Sequence, residues 1–146
     1  MQSLQNWVDT RQSITKPKIT GDRYCLLYDE YKDVTTETNT RHRVYRICAI
    51  IDMPEIDVYK GDVGGYIEEE ANLDNDELSG NTPWIYDDAM VYAGARVTDY
   101  ATIHDSIKIV GNVLVSGSSV LEGDGVLQNF KPERTEFCDM FINQNK

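Results

Sequence analysis

Between residues 61 and 95 the chain has no lysine and no arginine. The same segment holds nine acids, Asp62, Glu68, Glu69, Glu70, Asp74, Asp76, Glu77, Asp87 and Asp88, against a net charge of −11 for the whole protein. Residues 1–60 balance nine bases with nine acids, so the surplus is a local field and not a compositional drift. Such a field disfavours direct contact with a nucleic-acid backbone, which needs clustered Lys and Arg. Two readings of it stay open, a solubilising surface and a face that attracts a basic partner.

Other scarcities narrow the class further. Three cysteines, Cys25, Cys48 and Cys138, are odd in number, widely spaced and without a C-x-x-C pair, so neither a disulfide framework nor a zinc site is expected. The longest apolar runs, Tyr24 to Tyr28 and Ile47 to Ile51, fall far short of the roughly 20 residues that span a bilayer. The start, MQSLQNWVDT, lacks the basic residues and apolar stretch of a secretory signal, and a cytoplasmic location is the expectation.

What is abundant is a period. Ile85, Val91, Val97, Ile103, Ile109, Val115, Leu121 and Leu127 recur every six residues. Two residues before each aliphatic from Val91 onward stands Ala89, Ala95, Ala101, Ile107, Val113, Ser119 or Gly125, mostly small. Between these positions lie turn formers such as Asp87-Asp88, Ala93-Gly94, Gly111-Asn112, Gly117-Ser118 and Gly123-Asp124, residue types that tolerate a bent or left-handed backbone. A period of six suits no helix. Alternation alone also fits a meander of short hairpins, but hairpins would not hold the period for eight units. The physical solution is a coil in which each hexad supplies a short strand and a corner, three hexads complete a turn, and successive turns stack their aliphatics into a core. The predicted fold is mainly β, a short parallel β-helix, left-handed in the triangular hexapeptide form.

The ends differ from the array. Ile67 and Leu73 share the hexad register and follow a glycine-rich turn, Lys60 to Ile67, which lacks the G-K-[ST] ending of a phosphate loop and is expected to shape a backbone bend. Residues 1–60 read as a small α+β unit, with an amphipathic helix over Ser3–Ile14 and strands over Arg23–Tyr28 and Arg41–Asp52. Residues 61–131 form the β-helix. In residues 132–146, Phe137, Met140 and Phe141 recur at helical spacing after Pro132 and Thr135, which predicts a capping helix.

V-Y-R-I-x-A-I (Val44 to Ile50), K-G-D-V-G-G-Y-I-E (Lys60 to Glu68), Asn72-Leu73 and W-I-Y-D-D-A-M-V-Y (Trp84 to Tyr92) together resemble small phage and prophage proteins built on V-Y-G-N-A-type hexapeptides. The resemblance covers roughly residues 43–115 and loosens in the repeats, where D-D, D-Y, D-S and G-S replace most G-N corners. It implies a phage-borne origin and a β-helical scaffold, and carries no catalytic residues. By analogy, small acidic phage proteins include inhibitors of host defence, anti-CRISPR proteins among them.

Hexapeptide β-helices also host enzymes. A zinc carbonic anhydrase needs three imidazoles and the chain has only His42 and His104. A trimeric acyltransferase would use His104 as general base, yet no insertion interrupts residues 85–131 to hold a cofactor. The expectation is therefore a non-enzymatic interaction protein without cofactor or metal, located in the host cytoplasm. Its partner is a basic, nucleic-acid-binding host protein whose groove it occupies as a nucleic-acid mimic; nucleic acid itself and membranes are not expected partners. The candidate contacts are Glu68, Glu69, Glu70, Asp74, Asp76, Glu77, Asp87 and Asp88 with Tyr86 and Tyr92, since aromatics beside charge often form an interface centre. A structural phage component, which would form homo-oligomers, and the acyltransferase are the alternatives.

Overall fold

The computed structural model describes residues 16–143; the expected Ser3–Ile14 helix lies outside them. A hairpin of β1 (Tyr24–Thr35) and β2 (Arg41–Ala49) comes first. Strands β3 (Val63–Ile67), β4 (Trp84–Ile85), β5 (Met90–Tyr92), β6 (Arg96–Val97), β7 (Thr102–Ile103), β8 (Lys108–Gly111), β9 (Val113–Ser116), β10 (Val120–Glu122), β11 (Val126–Asn129), β12 (Thr135–Cys138) and β13 (Phe141–Asn143) follow. They form three sheets, β1-β2-β3-β5-β8-β11, β4-β7-β10-β13 and β6-β9-β12. From β3 onward every pairing is parallel and joins one turn to the next, as in a solenoid of about three turns.

The hexad aliphatics form three interior columns. Ile67, Val91, Ile109 and Leu127 pair in one sheet, Leu73, Val97, Val115 and Phe137 in the second, and Ile85, Ile103, Leu121 and Ile142 in the third. All but the last rung, Leu127, Phe137 and Ile142, are buried. Each such side chain removed from water contributes about 1.5–3 kcal/mol. The small residues of the second register, Ala89, Ala95 and Ala101, are fully buried between the columns.

The corners explain the rest of the composition. Asp87, Ala93, Asp99, Asp105, Gly111, Gly117 and Gly123, six residues apart, all have positive φ. Asp and Gly tolerate this left-handed conformation better than other residues. The acids do a second thing there, because each carboxylate reaches the next turn. Asp87 Oδ2 accepts the Asp105 N–H at 2.9 Å, Asp105 Oδ2 the Gly123 N–H at 2.8 Å, and Asp99 Oδ2 the Gly117 N–H at 2.8 Å. A share of the negative charge is thus spent on backbone donors that the corner leaves outside the strand ladders.

The expected C-terminal capping helix is absent from the described residues; Thr135–Cys138 and Phe141–Asn143 are strands instead. The spacing of Phe137, Met140 and Phe141 mimics a helix, but Phe137 and Ile142 continue two interior columns, and Met140 and Phe141 lie exposed. Between them Asp139, at φ 59°, makes another corner and accepts the Ser118 N–H at 2.7 Å. The open edges of β9 and β10 offer a strand more hydrogen bonds than a helix of one or two turns could replace.

The N-terminal hairpin continues the first sheet: β2 pairs antiparallel with β3, Tyr45 opposite Ile67 and Arg46 opposite Tyr66. Tyr24, Leu26, Tyr45 and Ile47 share one core with the columns. Gly64 and Gly65, expected to bend the chain, lie inside β3. A Cβ on Gly65 would stand 2.4 Å from Ile85 Cγ2 and 2.5 Å from the Ala89 carbonyl oxygen, so close approach is what requires glycine. Gly61, at φ 95°, makes the bend.

Candidate interaction face at the acidic insertion of the first turn

Leu73 and Ile85 are adjacent members of the first rung, yet twelve residues separate them where Val91 and Val97 need six. The surplus chain, residues 74–83, leaves the solenoid as a loop. Asp74 organises it: Oδ1 accepts the Asp76 N–H at 3.0 Å, and Oδ2 accepts from Ser79 Oγ at 3.3 Å and Asn81 Nδ2 at 3.0 Å. Asp76 caps the single 3-10 turn Glu77–Ser79 by accepting the Leu78 N–H at 2.9 Å. At the tip stands Leu78, 90% exposed.

The base of the loop is fastened from inside. Arg23 is 1% exposed, and its guanidinium donates to the carbonyls of Asp74 at 2.5 Å and Pro83 at 2.9 Å, the two ends of the insertion. Its carbon Cζ lies 5.9 Å from the Trp84 ring centre. Burial pushes the Arg23 pKa down, against the field of Asp74. Asn75, also buried, accepts the N–H groups of Arg23 and Tyr24 at 2.9 and 2.8 Å and donates to the Tyr24 carbonyl and Glu70. Asp22 Oδ1 accepts the Glu77 N–H at 2.8 Å. A depression of about 500 Å³ lies along this side, lined by Thr20, Asp22, Glu70, Asp74, Asp76 and Arg96 among others.

Asp74, Asp76 and Glu77 are therefore together on one projecting element, with Asp22 added. The other sequence candidates are distributed differently. Glu70 is held by the N–H groups of Thr20 (3.1 Å) and Gly21 (2.6 Å) and by Asn75 Nδ2 (2.8 Å). Burial alone would raise its pKa, but these donated bonds outweigh it and hold the carboxyl below its ordinary value. Glu68 accepts the Ala93 N–H at 2.9 Å and meets His42 Nδ1 at 2.7 Å. Glu69 is exposed and lines a separate groove of about 780 Å³ with Lys16, Lys18, His42 and Arg43, where the charges are mixed. Asp87 is a corner residue, and Asp88 pairs with Arg46 at 2.7 Å.

Neither tyrosine stands on the insertion. Tyr86 donates its hydroxyl to the Ile56 carbonyl at 3.0 Å and stacks flat on His104, ring centres 4.4 Å apart; burial pushes its pKa up. Tyr92 is 4% exposed, in a cluster with Val44, Tyr66, Met90 and Val110 on the outward side of the first sheet. No protein-family model, curated protein or solved structure matches the chain. The site thus rests on its own geometry. Sequence reasoning missed Asp22, Arg23 and Asn75. The doubled interval from Leu73 to Ile85 was the one signal that could have drawn attention to them, because a loop of surplus residues must be tied at its base.

Proposed function

We propose that this protein is a non-enzymatic interaction module whose acidic insertion, residues 74–83, docks on a basic protein surface of the kind that binds nucleic acid, and so keeps nucleic acid away from it. The observation that carries this is Leu78, 90% exposed at the tip of a loop whose own charges, Asp74, Asp76 and Glu77, are all negative, with Asp22 bonded to it from outside. An apolar anchor on a loop that carries charge of one sign suits a partner with a pocket inside a basic rim. Attachment to buried Arg23 and Asn75 favours tight binding, since a preorganised loop loses little entropy on docking. The resemblance over roughly residues 43–115 supports a phage-borne origin, analogy with small acidic phage proteins makes inhibition of host defence the biological setting, and the hexapeptide pattern supports a left-handed coil.

Charge reversal tests the reading, provided it spares the acids that hold the fold. Replacing Glu68 or Glu70 would remove caps from backbone donors; Glu77→Lys with Leu78→Lys would not, because no bond among the described residues uses either side chain. Capture from a bacterial lysate with wild type should yield a basic nucleic-acid-binding protein. That capture should weaken as salt rises, should be displaced by added nucleic acid, and should fail for the double variant. Equal, salt-insensitive capture by wild type and the folded variant would remove the insertion from the interface.

A further inference from the structure

Cys25 in β1 and Cys48 in β2 stand directly opposite each other in the hairpin. Their side chains share the outward side of the sheet, since their neighbours Tyr24, Leu26, Ile47 and Ala49 all belong to the core. The facing register sets the two thiols beside each other, and after burial it is the Cys25 thiol that raises the Cys48 pKa. Both residues are partly accessible, so a small reagent can reach them.

We propose that Cys25 and Cys48 form a reversible oxidation site, closing a cross-strand disulfide on exposure to a small-molecule disulfide oxidant. The register sets the geometry. The Ile50 N–H donates to the Arg23 carbonyl at 3.0 Å, so Arg23 and Ile50 are a hydrogen-bonded pair. Alternation then makes Cys25 and Cys48, two residues along on both strands, a pair of the same kind. Opposed Cα atoms in such a pair are about 5.5 Å apart, within the range of about 4.4–6.8 Å that a disulfide bridges. The wider Cβ separation of a hydrogen-bonded pair requires the strands to twist as the bond closes. That favours a strained, easily reduced disulfide over a permanent one.

The chemistry balances without any other reactant. One cysteine, as thiolate, attacks a sulfur of oxidised glutathione; the glutathione S–S bond breaks and the departing thiolate takes up a proton. The second cysteine loses its proton and attacks the mixed disulfide, releasing the second glutathione thiol. Two protein thiols are oxidised to one disulfide while one glutathione disulfide is reduced to two thiols. The product ties β1 to β2 two residues from Arg23, the clamp of the insertion, and depends only on the hairpin, not on the binding role proposed above.

The test uses the full chain with Cys138→Ser, which removes the exposed third thiol. Native protein is incubated with oxidised glutathione, blocked with iodoacetamide and analysed by intact mass and peptide mapping. The expected product has lost two hydrogens, carries no adduct, yields a linked Cys25–Cys48 peptide, and regains two alkylatable thiols on reduction. Adding Cys25→Ser should convert it into a stable glutathione adduct on Cys48. The proposal is overturned if both cysteines remain fully alkylatable, if separate adducts accumulate on both, or if the link forms only in urea.

Discussion

Replacing Asp99 tests whether the acids at the corners hold the solenoid together or merely decorate it. Asp99 adopts φ 58° and accepts the Gly117 N–H of the next turn at 2.8 Å. Asp99→Ala loses both features. A side chain with no local hydrogen bond costs about 1–2 kcal/mol in the left-handed region, and a carboxylate–amide bond is worth about 1.5–3 kcal/mol, the lower end applying at a half-exposed corner. The sum is about 3 kcal/mol. Asp99→Asn keeps the conformation and a carbonyl acceptor and should cost about 1 kcal/mol. Asp99→Gly keeps the conformation without the acceptor and should cost about 2 kcal/mol. At a melting-point shift of about 4 °C per kcal/mol for a chain of this size, Ala and Asn should melt roughly 12 and 4 °C below wild type. Thermal melts and urea titrations followed by circular dichroism would read the series. Asp124→Ala is the control, at a position with no side-chain bond among the described residues, and should stay within about 0.5 kcal/mol. If Asn and Ala melt together, or if Asp124→Ala costs as much as Asp99→Ala, the corner ladder is not what the acids are for.

Two further outcomes follow from the same structure. Arg23→Lys replaces a fork whose two terminal nitrogens serve the Asp74 and Pro83 carbonyls separately with a single ammonium nitrogen, so it should cost about 2 kcal/mol and make the insertion the first point of limited proteolysis. Unchanged stability and an unchanged cleavage pattern would show that the clamp is dispensable. For Glu70, the folded pKa lies below the ordinary value, so its ionised form contributes stability above the ordinary carboxylate range, and that contribution is lost as pH falls through the lowered folded value. Glu70→Gln should therefore be less stable than wild type at neutral pH and should lose less between neutral and acid pH; urea midpoints measured across that range with an unchanged slope would refute it.

The repeat was legible because a stacked coil gives each hexad the same environment. One apolar position, one mostly small position and one corner are imposed on every unit, and the sequence from Ile85 to Leu127 repeats the apolar position without a gap. The places where prediction failed are those where the environment is used only once. At the C-terminal end, the run from Pro132 to Arg134 breaks the interval of six, so Phe137 and Ile142 reach their columns at spacings that no periodic search expects. A coincidental i, i+3, i+4 set then read as a helix. The first rung hides its insertion in the same way, between two aliphatics that share the register. The acids were legible as a local excess, but not as two populations. Whether a carboxylate faces solvent or a backbone N–H of the next turn depends on the corner it occupies, and composition carries no trace of that.

The two populations bear on how the charge could act. A corner acid such as Asp87 or Asp105 is already engaged by a backbone donor and is tied to a conformation that the fold needs, so it cannot rearrange toward a partner without cost. Asp74 and Asp76 are bonded within the loop, and Glu77 is exposed. Binding through the insertion then requires only the removal of water from an element that is already in place, while binding through the corners would compete with the bonds that align successive turns. If the protein docks as proposed, the field of the whole negative surface would steer a basic partner from a distance, and the contact itself would form at Leu78. Salt should accordingly slow association through the net charge of the entire chain, whereas Glu77→Lys with Leu78→Lys should mainly speed dissociation. An effect of the double variant confined to the association rate would place the contact elsewhere on the acidic surface.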